Sequence, residues 1–149
     1  FGGGYPENFA EELSNNKEMI ESIKENYEQG KTILAECGGF MYLSNGIEQT
    51  DGKIFKMCGL VPCVVNMTNR LDISRFGYIS INNKNDIEIA RGHEFHYSKL
   101  KAVLEDTRKF KATKKDGRSW ECIFNEKKLY AGYPHLHFFG SYKFIEEVF

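Results

Sequence analysis

The sequence contains no long apolar run, and none of its stretches approaches the length of a membrane-spanning helix. It also shows no secretory signal peptide. The four cysteines, at positions 37, 58, 63 and 122, form no C-x-x-C pair and have no regular spacing. This pattern indicates reduced thiols in a cytoplasmic protein and argues against a disulfide-rich secreted domain.

The net charge is also small, at −1, so neither a broad basic surface for nucleic acid nor an acidic tail is predicted. No P-loop occurs, and the chain alone therefore gives no reason to expect a bound nucleotide. What is present is an ordinary soluble composition, 41% hydrophobic and 28% charged, over 149 residues, which suits one domain. The chain begins at Phe1 rather than at a methionine, so we expect it to be a piece of a longer polypeptide.

The segment 31–43, KTILAECGGFMYL, predicts a strand, a sharp turn and a helix. Cys37 would lie at the turn, and Gly38 and Gly39 would allow the backbone to turn tightly. This arrangement is typical of a nucleophile elbow, which holds a reactive side chain out at the edge of a sheet. The helix N-terminus is expected to favour the thiolate of Cys37. A cysteine taken alone is more often buried and inert, and the flanking E-C-G-G pattern is what favours a reactive role.

Three successive glycines, Gly2, Gly3 and Gly4, could expose backbone N–H groups to an anion in a concave arrangement called a nest. A flexible terminus is the alternative for these residues. Apolar residues at helical spacing over residues 8–29 predict two helices with a break near 14–16 and an end at Gly30. Further on, the sequence predicts a strand pair at 57–66 interrupted by Pro62.

Four histidines lie in the second half of the chain. The stretch 91–98, RGHEFHYS, predicts a strand with His93 on one side and Glu94 and His96 on the other. These side chains could face a cleft or form a cross-strand polar network, and the sequence leaves both interpretations open. The stretch 133–138, YPHLHF, places His135 and His137 after a predicted strand at 128–133 and before a predicted C-terminal helix.

A cysteine and a histidine that are far apart in sequence can meet at one edge of a sheet. The histidine can then take the thiol proton and return it to a leaving amine. Backbone N–H groups of Gly2, Gly3 and Gly4 could stabilise the oxyanion that forms. This constellation predicts amide hydrolysis through a thioester of Cys37.

Four stretches, GGGYPE, AECGGFMYL, RGHEFHYS and YPHLHF, occur in this order and closely resemble the glutamine amidotransferase domain of cobyrinate a,c-diamide synthases. The resemblance runs from residue 2 to about residue 138. It implies that Cys37 is the nucleophile that attacks glutamine and that His135 activates it. It also implies an oxyanion segment, to which we assign Gly2, Gly3, Gly4 and Gly38, and supporting positions for His93, Glu94, His96 and His137. In other class I amidotransferases, a glutamate two residues after the histidine completes a catalytic triad. No glutamate lies there after His135, so the resemblance implies a Cys–His pair without a glutamate.

The resemblance further implies that ammonia passes to a synthetase domain N-terminal to Phe1, where ATP and Mg²⁺ activate the a and c carboxylates of cobyrinate. Residues 1–149 would then form the amidotransferase domain, with glutamine as substrate and neither cofactor nor metal of its own. The expected fold is α/β, a flavodoxin-like, mainly parallel sheet flanked by helices, with antiparallel strands around 57–97. A sheet truncated at its N-terminal edge would expose that edge, which is compatible with a homodimer.

Three alternatives remain at this stage. The nickel-sirohydrochlorin a,c-diamide synthases carry similar motifs. A non-catalytic binding module on the same fold would keep Cys37 buried and inert. A metal-binding protein could use Cys37, His93, His96 and His135, although their spacing is unlike that of zinc sites.

Overall fold

The computed structural model describes the backbone of residues 1–101 and 108–149, and the side chains of residues 1–101 and 110–149. The described helices are α1 (Ala10–Asn15), α2 (Lys17–Glu28), α3 (Gly38–Leu43) and α4 (Tyr142–Val148), with 3-10 turns at Pro6–Phe9 and Phe138–Gly140. Asn16 separates α1 from α2, and its side chain accepts a hydrogen bond from the backbone of Met19 at 3.1 Å. The predicted pair of helices with a break near residues 14–16 is therefore confirmed.

The described strands form two sheets. Their bounds are β1 (Ile33–Glu36), β2 (Ser44–Glu48), β3 (Ile54–Lys56), β4 (Val61–Met67), β5 (Gly77–Asn82), β6 (Glu88–Glu94), β7 (Ser98–Lys101), β8 (Arg108–Thr113), β9 (Ser119–Glu126), β10 (Leu129–Gly132) and β11 (His135–Leu136). The larger sheet has the order β1-β10-β9-β8-β5-β6-β11, and the smaller one has the order β3-β2-β4-β7.

The prediction of a mainly parallel sheet is wrong for the strands that the structure describes. Only β1 with β10 and β2 with β4 pair in parallel, and the other seven pairings are antiparallel. Parallel neighbours need a long crossover connection, usually a helix, whereas antiparallel neighbours can be joined by short turns. Between β3 and β7, and again between β8 and β11, no described helix interrupts the run of strands. The α/β class is confirmed in the coarser sense of mixed sheets flanked by helices.

Two predicted strands have different limits in the structure. β4 runs unbroken through Pro62, where the pairing with β2 shifts register, so the predicted interruption is wrong. A register shift tolerates a residue that has no N–H to give to the ladder. The strand predicted over 91–98 ends at Glu94, and residues 95–97 connect β6 to β7.

The apolar core lies on both faces of β1. Ile33 and Ala35 of β1 belong to one apolar cluster, which α2 and α3 cover. Leu34, between them, packs against a second cluster that contains Phe144 of α4. This alternation is the period-two pattern of a strand buried on both sides. None of the helices in the described part of the chain is both long and apolar enough to cross a bilayer.

The curvature of the larger sheet decides where the candidate residues lie. β1 and β11 stand at opposite ends of the strand order, yet the two strands meet in space. Glu36 at the end of β1 accepts a hydrogen bond through Oε1 from the backbone N–H of Leu136 in β11, at 2.8 Å. Cys37, directly after β1, is thereby brought to the same region as His135.

Candidate active site

Cys37 occupies the junction between β1 and α3, as predicted. Its φ is 47° and its ψ is −106°, a conformation that side-chain-bearing residues rarely adopt. Its N–H donates to Gly132 O at 2.8 Å, and its C=O accepts from Met41 N at 2.9 Å. The predicted strand, sharp turn and helix are confirmed, and the strained turn is held by hydrogen bonds on both sides.

The opening segment of the chain is docked against this turn. The amino group of Phe1 donates to Leu34 O at 2.7 Å, and Glu36 N donates to Phe1 O at 2.9 Å, in the manner of an added parallel strand. Gly39 N donates to Gly2 O at 3.0 Å. These bonds fix the glycine segment beside the elbow, so the alternative of a flexible terminus is wrong.

The opening glycines let neighbouring residues approach the backbone closely. The prediction that they form an anion-binding nest is wrong. None of Gly2, Gly3 and Gly4 has a positive φ, whereas a nest alternates right- and left-handed conformations. A Cβ added at Gly3 would overlap the ring of His135, and one added at Gly38 would overlap the backbone of Gly4. Among the described residues, the N–H groups of Gly3 and Gly4 donate to no protein acceptor, so both remain available to a ligand.

His135 lies between Gly3 and His93. β11 pairs His135 with His93 of β6, and the two rings stack with centroids 4.9 Å apart. His135 is half-buried, whereas His137 is exposed beside Phe139 and Gly140. The structure thus brings His93, His135 and Gly3 together and leaves His137 on the outer surface.

Glu94 and His96 form a buried polar network. Glu94 accepts hydrogen bonds from Trp120 Nε1 at 3.0 Å and from His96 Nε2 at 3.3 Å. His96 Nδ1 lies 2.9 Å from Ser98 O, and the His96 ring stacks on Tyr133 at 3.7 Å. Both ring nitrogens of His96 therefore face acceptor oxygens within the protein.

A small pocket opens directly beside the thiol. Its lining includes Cys37, Glu7, Phe95, His96 and Tyr97, and it encloses about 20 Å³. The Cys37 Sγ lies 3.8 Å from Phe95 O, to which the thiol can donate. His96, which the sequence offered only as a supporting residue, therefore shares a wall with the thiol. Sequence reasoning missed Glu7, whose only signal was its place at the end of GGGYPE.

A family model described as CobB/CobQ-like glutamine amidotransferase domain matches residues 1–143 of the chain. The chain belongs to this family. Its relatives include the cobyrinate a,c-diamide synthases of Fusobacterium nucleatum, 90% identical over 148 residues, and of Listeria monocytogenes serotype 4b, 39% identical over 157 residues. The matches cover 99% of this chain in both cases, but only 33% and 34% of the relatives. This chain therefore spans about a third of the length of these synthases.

In this amidotransferase chain, the electrostatic environment of the Cys37 thiol differs from the one expected from the sequence. Burial raises the pKa of Cys37 to about 11. The N–H of Gly38 opposes this shift, and the carboxylates of Glu7, Glu94 and Glu36 add to it. The helix N-terminus was expected to favour the thiolate, but burial and the three nearby carboxylates shift the pKa of Cys37 in the opposite direction. The thiol needs a base before it can react.

His135, whose ring lies against Gly3, is the candidate base. Burial lowers the pKa of His135, and the neighbouring His93 lowers it further. The imidazole of His135 is therefore neutral at pH 7 and able to accept a proton. Within residues 1–101 and 108–149, no group of three or more His, Cys, Asp and Glu side chains is arranged to hold a metal ion.

Proposed function

We propose that this chain is the glutaminase unit of a cobyrinate a,c-diamide synthase. The supporting observation is the 90% identity, over nearly the whole chain, to the Fusobacterium nucleatum protein of that name. The two-thirds of the relative that the chain does not cover would hold the synthetase, which amidates the a and c carboxylates with ATP and Mg²⁺. The present residues do not fit those groups, since the sequence has no P-loop and the described part offers no metal cluster.

In this proposal Cys37 attacks the carboxamide carbon of glutamine while His135 accepts the thiol proton. The tetrahedral intermediate collapses to a thioester, and the proton on His135 leaves with ammonia. Water then attacks the thioester, His135 accepts its proton, and glutamate departs as the thiol is restored. The neutral His135 and the protonated Cys37 supply the resting state that this cycle requires.

The oxyanion would be held by backbone N–H groups, which cost no reorganisation because the fold has already placed them. Gly38 follows the nucleophile, and its N–H lies close enough to lower the pKa of Cys37. Gly3 and Gly4 offer N–H groups without protein acceptors among the described residues, and so does Gly2, whose C=O accepts from Gly39 N. His93 would support His135 by stacking, and Glu94 with His96 would shape the pocket wall.

An electrophilic analogue of glutamine should label this site selectively. A diazoketone analogue added to the complete polypeptide is expected to modify Cys37 ahead of Cys58, Cys63 and Cys122, because recognition brings it to the elbow. Peptide mass spectrometry would locate the label, and glutamine should protect against it. Labelling that follows general thiol accessibility, or that glutamine does not slow, would instead favour a non-catalytic module with an inert Cys37. A Cys63→Ser variant, altered at another buried cysteine, should label normally.

The activity should also persist into mildly acidic solution. Because burial lowers the pKa of His135 below its usual 6.5, the imidazole stays neutral below that pH. The acid limb of kcat/KM for glutamine hydrolysis is therefore expected to have its midpoint below pH 6.5, measured as ammonia release from the complete polypeptide. A midpoint above pH 6.5 would contradict the assignment of His135 as the base.

A further inference from the structure

Glu7 presents a buried carboxylate oxygen that the protein does not satisfy. Its Oε2 atom is shielded from solvent and has no hydrogen-bond partner among the described residues. The backbone at Glu7 is held in place. Gln49 Nε2 donates to Glu7 O at 2.6 Å, and Glu7 lies within the Pro6–Phe9 turn. A buried acceptor without a donor costs free energy, so its retention calls for a ligand or another explanation.

The position of Glu7 connects this oxygen to the chemistry of the thiol. Glu7 and Cys37 line the same pocket, and Glu7 is the one carboxylate among the described lining residues. It is also the carboxylate that most raises the pKa of Cys37. Burial raises the pKa of Glu7 itself, as expected for a carboxylate that lacks a compensating cation.

We propose that Glu7 accepts a hydrogen bond from the α-ammonium group of the substrate and so restricts the site to α-amino acid amides. This inference rests on the proposed glutaminase function. Glutamine carries one cation, its ammonium group, and a half-buried carboxylate beside the nucleophile with one unsatisfied oxygen is its natural complement. Because the pocket holds only about 20 Å³, it must widen to admit the substrate, and the exposed side chains of Tyr5 and Tyr97 form part of its lining.

The test compares glutamine with glutaramate, which has the same carboxamide and carboxylate but no α-amino group. Wild-type protein, used as the complete polypeptide, should prefer glutamine. The Glu7→Gln variant should lose about tenfold to a hundredfold in kcat/KM for glutamine, mainly through KM, and change little toward glutaramate. The preference between the two substrates should therefore nearly vanish.

Matched variants separate this role from a structural one. Glu11→Gln removes an exposed carboxylate from the neighbouring helix α1 and should leave the preference intact. Glu7→Asp keeps the charge on a shorter side chain and should retain part of the preference. An equal loss toward both substrates in Glu7→Gln, or an undiminished preference for glutamine, would overturn the inference. Wild-type protein that hydrolyses neither amide would instead overturn the proposed function.

Discussion

Serine at position 37 is expected to abolish glutamine-dependent amidation by the complete synthase while ammonia-dependent amidation continues. Serine retains the size of the side chain, so the strained turn at φ 47° should survive the change. It removes the thiol that His135 deprotonates, and a hydroxyl is far harder to ionise in the same buried position. Loss of a catalytic nucleophile commonly costs four orders of magnitude or more in rate, and we expect a loss of roughly that size.

The two nitrogen donors separate chemistry from folding. Free ammonia bypasses the glutaminase site, so an unchanged ammonia-dependent rate shows that the rest of the polypeptide is intact. Cys63→Ser, at another buried cysteine, lies in β4 and should preserve both activities. Glutamine that still served as nitrogen donor after Cys37→Ser would show that another residue is the nucleophile.

The elbow was predictable from sequence because its signals are local. A short apolar stretch, a cysteine and two glycines sit within a few residues, and each has a direct backbone consequence. Gly38 and Gly39 are needed because the opening segment packs directly onto them. The two helices before the elbow were predictable for the same reason, since their apolar spacing and the cap at Asn16 are local features.

Strand direction and the role of the opening glycines were not predictable in this way. Whether β10 pairs with β1 in parallel and with β9 antiparallel depends on long-range partners, which hydrophobic periodicity does not encode. The glycine run suggested a positive-φ nest, but the contact that requires Gly3 is the ring of His135, 132 positions further along the chain. Such a contact is visible only once the curled sheet has brought β1 and β11 together.

The charged residues at the site show a third limit of sequence reasoning. Glu7 and Glu94 are acidic residues of a type usually found at protein surfaces, and nothing local marks them as buried. In the structure, Glu94 is 1% exposed, and Oε2 of Glu7 is shielded from solvent. Their environments come from residues distant in sequence, Trp120 for Glu94 and Cys37 for Glu7.

Glu94→Ala is expected to destabilise the fold by about 1–3 kcal/mol, because it removes a buried acceptor and leaves its donors without a partner. His96 Nε2, which is buried, and Trp120 Nε1, which is partly buried, would lose their shared acceptor. Urea denaturation, with the midpoint compared at constant slope, measures the change in the free energy of unfolding.

Two further variants make this prediction specific to the network. Glu94→Gln keeps an oxygen for Trp120 but removes the negative charge opposite His96, so its loss of stability should lie between those of Glu94→Ala and wild type. Glu146→Ala, at an exposed position of α4, should change stability by no more than about 0.5 kcal/mol. If Glu94→Ala were as mild as Glu146→Ala, the hydrogen bonds that Glu94 makes with His96 and Trp120 would not stabilise the fold, and the prediction would be wrong.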